Sequence, residues 1–139
     1  MKMYLINGES YLLVNEEITK LIGDNKNIVS YDLSENSLEE VLVEAGYLSM
    51  FQEEKFIIVK NAKFFGSGKL TDKEMNMLES YLENPNELSI LIFVCYEKLD
   101  ARKKITKTFK EKYQVISIPQ LKPYEITNKV GEYIRKNGF

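Results

Sequence analysis

Residues 66–69, Gly-Ser-Gly-Lys, are the part of the sequence that looks most like a phosphate-binding loop. Such a loop needs a glycine five positions before its second glycine and a Ser or Thr after its lysine, because backbone N–H groups cradle the phosphates and the hydroxyl binds Mg²⁺. Lys63 and Leu70 occupy those two positions. The segment also follows the third predicted strand rather than the first. We therefore interpret it as a flexible surface loop.

Residues 7–10, Asn-Gly-Glu-Ser, form the turn after the first predicted strand. Doubly wound α/β folds hold phosphates at this turn when it carries a glycine-rich loop and a lysine. This turn has one glycine, no lysine, and Glu9 where a phosphate would sit. A carboxylate there repels a nucleotide, so we predict an ordinary helix start capped by Ser10.

The common catalytic side chains are almost absent. The chain has no histidine and a single cysteine, Cys95, which excludes the usual zinc sites and Ser-His or Cys-His pairs. The acidic stretch 32–44 shows no pairing of an acid with a base and is typical of a solvated helix face. Carboxylate or lysine chemistry remains open, but we predict no catalytic residue, no metal and no cofactor.

Composition indicates an ordinary soluble domain. The 139 residues fit one domain, with 44% apolar and 29% charged residues. A net charge of −2 gives no electrostatic reason to expect binding to nucleic acid or to a membrane. The lone cysteine excludes an internal disulfide and favours a reducing cytoplasm, and the longest apolar run is too short to span a bilayer.

Residues 98–112 are rich in lysine, and Lys103, Lys107 and Lys110 have the spacing of one helical face. Such a face can contact nucleic-acid phosphates, with salt-dependent binding. It can equally be a solvated surface. With no tryptophan in the chain and no aromatic residues interleaved with the lysines, we favour the second interpretation.

Met50 and Phe51 are an apolar pair in a segment that should connect a helix to a strand. Connections lie on the surface and collect binding residues. A phenylalanine beside a strand is more often a core residue, but Tyr47 and Leu48 bring more apolar side chains than a short connection needs to bury. One or two of these side chains are therefore available to a partner.

The remaining pattern alternates strands and helices and predicts a parallel sheet with helices on both faces. Helix starts are predicted at Ser10, Asp100 and Pro123, with capping boxes at 37–40 and 71–74. Ile126, Val130 and Ile134 are in line on the last predicted helix. The predicted strands are 3–6, 27–31, 55–60, 89–95 and 114–118.

Four segments in order give the chain a family resemblance. They are 4–13 (Tyr-Leu-Ile-Asn-Gly-Glu-Ser-Tyr-Leu-Leu), Asp32 with Glu35 and Leu38, 49–51 (Ser-Met-Phe) with 55–62, and 97–104 (Glu-Lys-Leu-Asp-Ala-Arg-Lys-Lys). In these segments the sequence resembles the delta subunit of the bacterial DNA polymerase III clamp loader. No single motif is diagnostic, and the order and spacing of the four carry the match.

The resemblance implies an AAA+-type α/β domain that has lost its ATP site, in agreement with the interpretation of residues 7–10. It implies a non-catalytic part of the DNA polymerase (nucleotidyltransferase) holoenzyme, residues 1–139 being the N-terminal domain without the family's lid and collar. The implied partners are the sliding clamp, the other loader subunits and, within the assembled loader, primed DNA. The family's clamp-binding Leu-Phe pair falls on Met50 and Phe51, a Leu→Met departure that conserves volume.

Two other functions remain as alternatives. A small phosphate-loop ATPase or kinase needs a lysine at the first turn, which residues 7–10 lack. A nucleic-acid-binding module would use the basic segment 98–112.

Overall fold

Five parallel strands form the sheet at the centre of the protein. A computed structural model describes residues 3–25, 27–47 and 53–119. The strand order is β2-β3-β4-β1-β5, and all four pairings are parallel. The strands are β1 (Met3–Asn7), β2 (Ile28–Asp32), β3 (Lys55–Lys60), β4 (Ser89–Cys95) and β5 (Gln114–Ser117).

The helices connect these strands. The elements are α1 (Tyr11–Ile22), α2 (Leu38–Gly46), a 3₁₀ turn (Lys63–Phe65), α3 (Asp72–Glu83) and α4 (Lys104–Lys112). The ends of the five predicted strands lie within one or two residues of the ends observed in the structure. The predicted helix from Pro123 lies outside the described residues.

The two faces of the sheet carry separate apolar cores. On one face, side chains of α2, α3 and α4 pack against Leu5, Ile57, Leu91 and Phe93. On the other face, Val14 and Ile18 of α1 pack with alternate residues of the same strands. Every residue of β4 is buried, because a central parallel strand is covered on both sides.

Helix starts follow their predicted caps at three positions. Ser10 and Ser37 each accept a backbone N–H three residues on, and Thr71 forms a complete capping box with Glu74. At Ser37 the Glu40 carboxylate accepts instead from the amide of Asn36.

The prediction that Asp100 caps a helix is wrong. Helix α4 begins at Lys104, with Lys103 as its N-cap residue. The carboxylate of Asp100 accepts from the backbone N–H and the guanidinium of Arg102, which closes a turn ahead of the helix. Those hydrogen bonds lower the pKa of Asp100, with the nearby positive charges of Arg102 and Lys103 adding to the effect.

Candidate functional site

The end of α2 brings the predicted binding segment to the amino edge of the sheet, where the strands begin. The chain leaves α2 at Tyr47 and resumes at Glu53, two residues before β3. Leu48, Met50 and Phe51 lie between them, outside the described residues. Of the predicted binding residues, the structure therefore describes Tyr47, whose side chain is 63% exposed.

Lys55 holds the last turn of α2. Its ammonium donates to the carbonyl of Glu44 at 2.7 Å, to the carboxylate of Glu44 at 3.3 Å and to the carbonyl of Tyr47 at 3.4 Å. It also lies 5.3 Å from the centre of the Tyr47 ring. A cation at the carbonyl end of a helix interacts favourably with the helix dipole. Lys55 itself is only 8% exposed, so these partners replace the water it has lost.

Asn86 and Ser89 complete this polar anchor from the other side. The Asn86 amide donates to the carbonyls of Ala45 and Tyr47 at 3.1 and 3.3 Å. The Ser89 hydroxyl donates to the carbonyl of Ala45 at 2.7 Å. The free carbonyls at a helix end need such partners, and here β3, β4 and the turn before β4 supply them. Hydrogen bonds that are mostly part-buried thus hold the chain at Ala45 and Tyr47, just before residues 48–52 in sequence.

This polar anchor (Glu44, Lys55, Asn86 and Ser89) was not foreseen from the sequence. Lys55 was interpreted only as the polar boundary of a buried strand. It is the first residue of β3, as predicted, but its side chain is buried. A usable signal was present, since a lysine at the start of an otherwise apolar strand requires an anionic or carbonyl partner nearby.

An exposed apolar side chain extends the surface beside Tyr47. Val43 lies one helical turn earlier on α2 and is 67% exposed. Tyr47, the C-cap residue of α2, follows Val43 by four positions, so both exposed side chains belong to the last turn of this helix and its cap. Single exposed apolar residues are common, but two of them at the end of α2, shortly before Met50 and Phe51 in sequence, mark this end of the sheet as a candidate contact surface.

The first turn lies at the opposite, carboxyl edge of the sheet. Three residues, Gly8 to Ser10, separate β1 from α1. The side-chain amide of Asn7 donates to the carbonyls of Cys95 and Glu97, at 3.0 and 2.6 Å. A Cβ added to Gly8 would lie 2.8 Å from Cβ of Ile118. A phosphate loop needs a longer connection and open space above its glycines, and this turn offers neither.

The loop 61–70, which contains the glycine-rich residues 66–69, is joined to the core on one side and to Glu97 on the other. Phe64 and Phe65 are buried in the core against Phe93. The Glu97 carboxylate accepts from both the backbone N–H and the hydroxyl of Ser67, each at 2.7 Å. These hydrogen bonds lower the pKa of Glu97.

Asp32 plays a similar part at the end of β2. Its carboxylate accepts from the hydroxyl and the backbone N–H of Ser34 and from the amide of Asn61. The hydrogen bonds lower the pKa of Asp32. Both carboxylates therefore bind loops rather than face a shared cleft, and what they add to stability is present above their ordinary pKa and lost as the pH falls below it.

The three predicted lysines do not form one exposed face. The ammonium of Lys103 donates to the carbonyl of Phe64 at 3.1 Å and to that of Gly68, which joins α4 to the loop 61–70. Lys107 and Lys110 are exposed. Of the three lysines predicted to form a basic face, Lys107 and Lys110 are therefore available at the surface, and Lys103 binds the loop 61–70.

Other site types find no support in the part of the chain that the structure describes. No three His, Cys, Asp or Glu side chains there are grouped to hold a metal ion. None of the described helices is long and apolar enough to cross a membrane.

Comparison with known proteins gives consistent results. Over 137 residues the chain is 28% identical to DNA polymerase III subunit delta of Bacillus subtilis (strain 168), covering 91% of this chain and 40% of that protein. The solved structure of the DNA clamp loader delta protein (YqeN) of Bacillus subtilis matches 99% of this chain and 44% of its own, at 23% identity and a TM-score of 0.74. The chain thus spans less than half the length of either relative.

The structural match and the five-stranded parallel sheet confirm the predicted α/β fold with helices on both faces. The sequence also matches the family described as "DNA polymerase III, delta subunit" over residues 4–119, which includes β2 to β5 entirely and β1 from its second residue. Together with the order of the four sequence segments, this match assigns the chain to the DNA polymerase III delta subunit family.

Proposed function

We propose that this chain is a non-catalytic clamp-loader domain that docks on the sliding clamp of the replicative DNA polymerase. Met50 and Phe51 insert into an apolar pocket of the clamp, with Leu48 and Tyr47 adding contacts. Membership of the delta family supports the role. The observation that carries the site is the polar anchor of Lys55, Asn86 and Ser89, which fixes the base of the segment holding these residues.

The rigid base matters for affinity. Burying two large apolar side chains contributes about 1.5–3 kcal/mol each. A micromolar complex needs about 8 kcal/mol, so further contacts and a small ordering cost are both required. Exposed Tyr47 and Val43 can add contact area. The anchor lowers the ordering cost because the two ends of the segment are already held in the free protein.

Docking at this site would favour the open form of the ring if the domain contacts the open interface better than the closed one. A ligand shifts an equilibrium only by its differential affinity for the two states. In the cytoplasm, this chain would contact the other loader subunits and primed DNA only as part of the assembled loader. In chromosomal replication the domain would then help to open the clamp ring and would catalyse no step itself.

The proposal includes loss of the ATP site, since the turn from Gly8 to Ser10 is short, lacks lysine and is covered by Ile118. Titration of the chain with Mg-ATP by calorimetry is expected to give only the heat of dilution. A dissociation constant below about 100 μM, equivalent to about 5.5 kcal/mol, would require phosphate contacts and would contradict this part of the proposal.

The basic helix is expected to be a solvated surface. Replacing Lys107 and Lys110 with glutamine should leave clamp binding unchanged, within about twofold, because exposed charges away from an interface contribute little. Lys103→Gln is made separately, since it also removes a donor to the Phe64 carbonyl and should lower the melting temperature.

The nucleic-acid alternative is tested with the same variant in the assembled loader. If Lys107 and Lys110 contact phosphates, the double variant will bind primer-template more weakly, with a shallower dependence on salt. Unchanged binding and an unchanged salt slope support the solvated surface.

A further inference from the structure

Residues 7 and 8, Asn-Gly, form a dipeptide that can lose the side-chain amide of its asparagine without an enzyme. In this reaction the backbone nitrogen of the following residue attacks the asparagine side chain. Glycine permits the attack best, because it has no Cβ to obstruct the approach and its backbone is the most flexible. Among the described residues, Asn7 is the only asparagine that a glycine follows.

The reaction needs only water and a base. The backbone N–H of Gly8 gives its proton to the base, and the nitrogen bonds to Cγ of Asn7. The bond from Cγ to the side-chain nitrogen breaks, and that nitrogen takes up a proton and leaves as ammonia. Water then adds to either carbonyl of the resulting cyclic imide and opens the ring, which leaves aspartate or isoaspartate at position 7.

In the folded chain the nitrogen of Gly8 is kept away from base. Its N–H donates to the carbonyl of Cys95 at 3.2 Å, and the residue is buried. A Cβ added at Gly8 would lie 2.8 Å from Cβ of Ile118, so Ile118 fills the space beside this residue. Buried, hydrogen-bonded amides exchange their protons slowly because base reaches them only when the structure opens. The same barrier opposes attack by this nitrogen.

The side chain and backbone of Asn7 are also held in place. Its side-chain amide donates to the carbonyl of Cys95 at 3.0 Å and to that of Glu97 at 2.6 Å. Its backbone pairs with Cys95 in β4 and with Ser117 in β5. Closing the imide ring requires rotation about the bonds of Asn7, which would break these contacts on both sides of β1.

We propose that Asn7 is a modification site that loses its amide only when the carboxyl edge of the sheet opens. The product does not rebuild this edge, because a carboxylate at position 7 has no hydrogen to donate to the carbonyls of Cys95 and Glu97 and brings a negative charge against them. Isoaspartate also lengthens the backbone within the strand ladder. The state of residue 7 is therefore an irreversible record of the time that a molecule has spent unfolded. The proposal does not depend on clamp binding.

Mass spectrometry of the 139-residue chain tests the proposal. The folded chain and a synthetic peptide of residues 3–20 are incubated at mildly alkaline pH, and trypsin then releases the same peptide from the chain. Conversion at Asn7 is expected to be at least about tenfold slower in the chain than in the peptide, because the edge must open first. In urea sufficient to unfold it, the chain should convert as fast as the peptide does in the same urea. A smaller difference without urea, slow conversion in urea, or a peptide that keeps its Asn7 amide throughout overturns the proposal.

A pair of substitutions tests whether the product can rebuild the edge. Asn7→Asp reproduces the aspartate product and should lower the melting temperature by about 5–10 °C, since two carbonyls lose their donor and face a charge. Asn15→Asp makes the same chemical change at an exposed position of α1 and should shift melting by less than about 2 °C. Failure of Asn7→Asp to fold supports the proposal, and melting equal to that of the unaltered chain overturns it. The conversion rates are measured on the unaltered chain and do not depend on the folding of either variant.

Discussion

Replacing Met50 and Phe51 together with alanine is expected to lower clamp affinity by a factor of about 100 or more. Each side chain contributes about 1.5–3 kcal/mol when it is buried, and about 1.4 kcal/mol corresponds to a tenfold change in affinity. The free energy of unfolding of the free domain should change by less than about 1 kcal/mol, because truncating exposed side chains leaves no cavity. Calorimetric titration against the clamp and thermal melting measure the two effects on the same protein.

A core role for the pair predicts the reverse. Truncating a buried phenylalanine costs about 3–5 kcal/mol of stability, so melting would drop sharply while the folded fraction still bound the clamp. Tyr11→Ala is the matched control: Tyr11 is 64% exposed but lies on α1, at the carboxyl edge of the sheet. This control should leave clamp affinity unchanged, since the two edges are separated by the length of the strands.

Lys55→Met is expected to destabilise the free domain by about 2–4 kcal/mol and to weaken clamp binding about tenfold. Methionine keeps an unbranched side chain, one atom shorter, but removes the ammonium, which leaves the carbonyls of Glu44 and Tyr47 without this donor. The base of residues 48–52 then loses its fixed geometry, and binding must order it again. Urea unfolding gives the stability, and clamp titration at a temperature where the variant is folded gives the affinity.

Lys60→Met serves as the matched control, because Lys60 ends the same strand and is half-buried at the carboxyl edge. It should have little effect on clamp affinity. Full clamp affinity in folded Lys55→Met would show that the polar anchor does not position the binding segment, even if the stability loss is as expected.

Much of the fold could be predicted from local sequence patterns. The apolar runs at β3 and β4 indicated buried parallel strands, and the Thr71 capping box marked the start of α3. These features depend on neighbouring residues, which is why periodicity and capping rules find them. Strand order could not be predicted in this way because it depends on which crossover each helix makes.

Most of the details that sequence patterns missed depend on contacts between distant residues. Lys103 has the spacing of a surface lysine, but its ammonium reaches the loop 61–70, about 35–39 residues earlier in the chain. Phe64 and Phe65 follow a loop-like pattern, yet β4 and α4 offer them a buried aromatic cluster. At the candidate site, Tyr47 was predicted from the sequence. The polar anchor was not, because its residues come together only when α2, β3 and the start of β4 are placed side by side in the sheet.

We propose that this domain alone binds the sliding clamp through the segment that follows α2. Gel filtration of the chain mixed with the cognate clamp, both at tens of micromolar, tests it most directly. We expect the two to co-elute at a smaller volume than the clamp alone, and the Met50→Ala, Phe51→Ala variant to elute separately from the clamp. Separate elution of the unaltered chain, or co-elution that persists in the Met50→Ala, Phe51→Ala variant, would contradict the account.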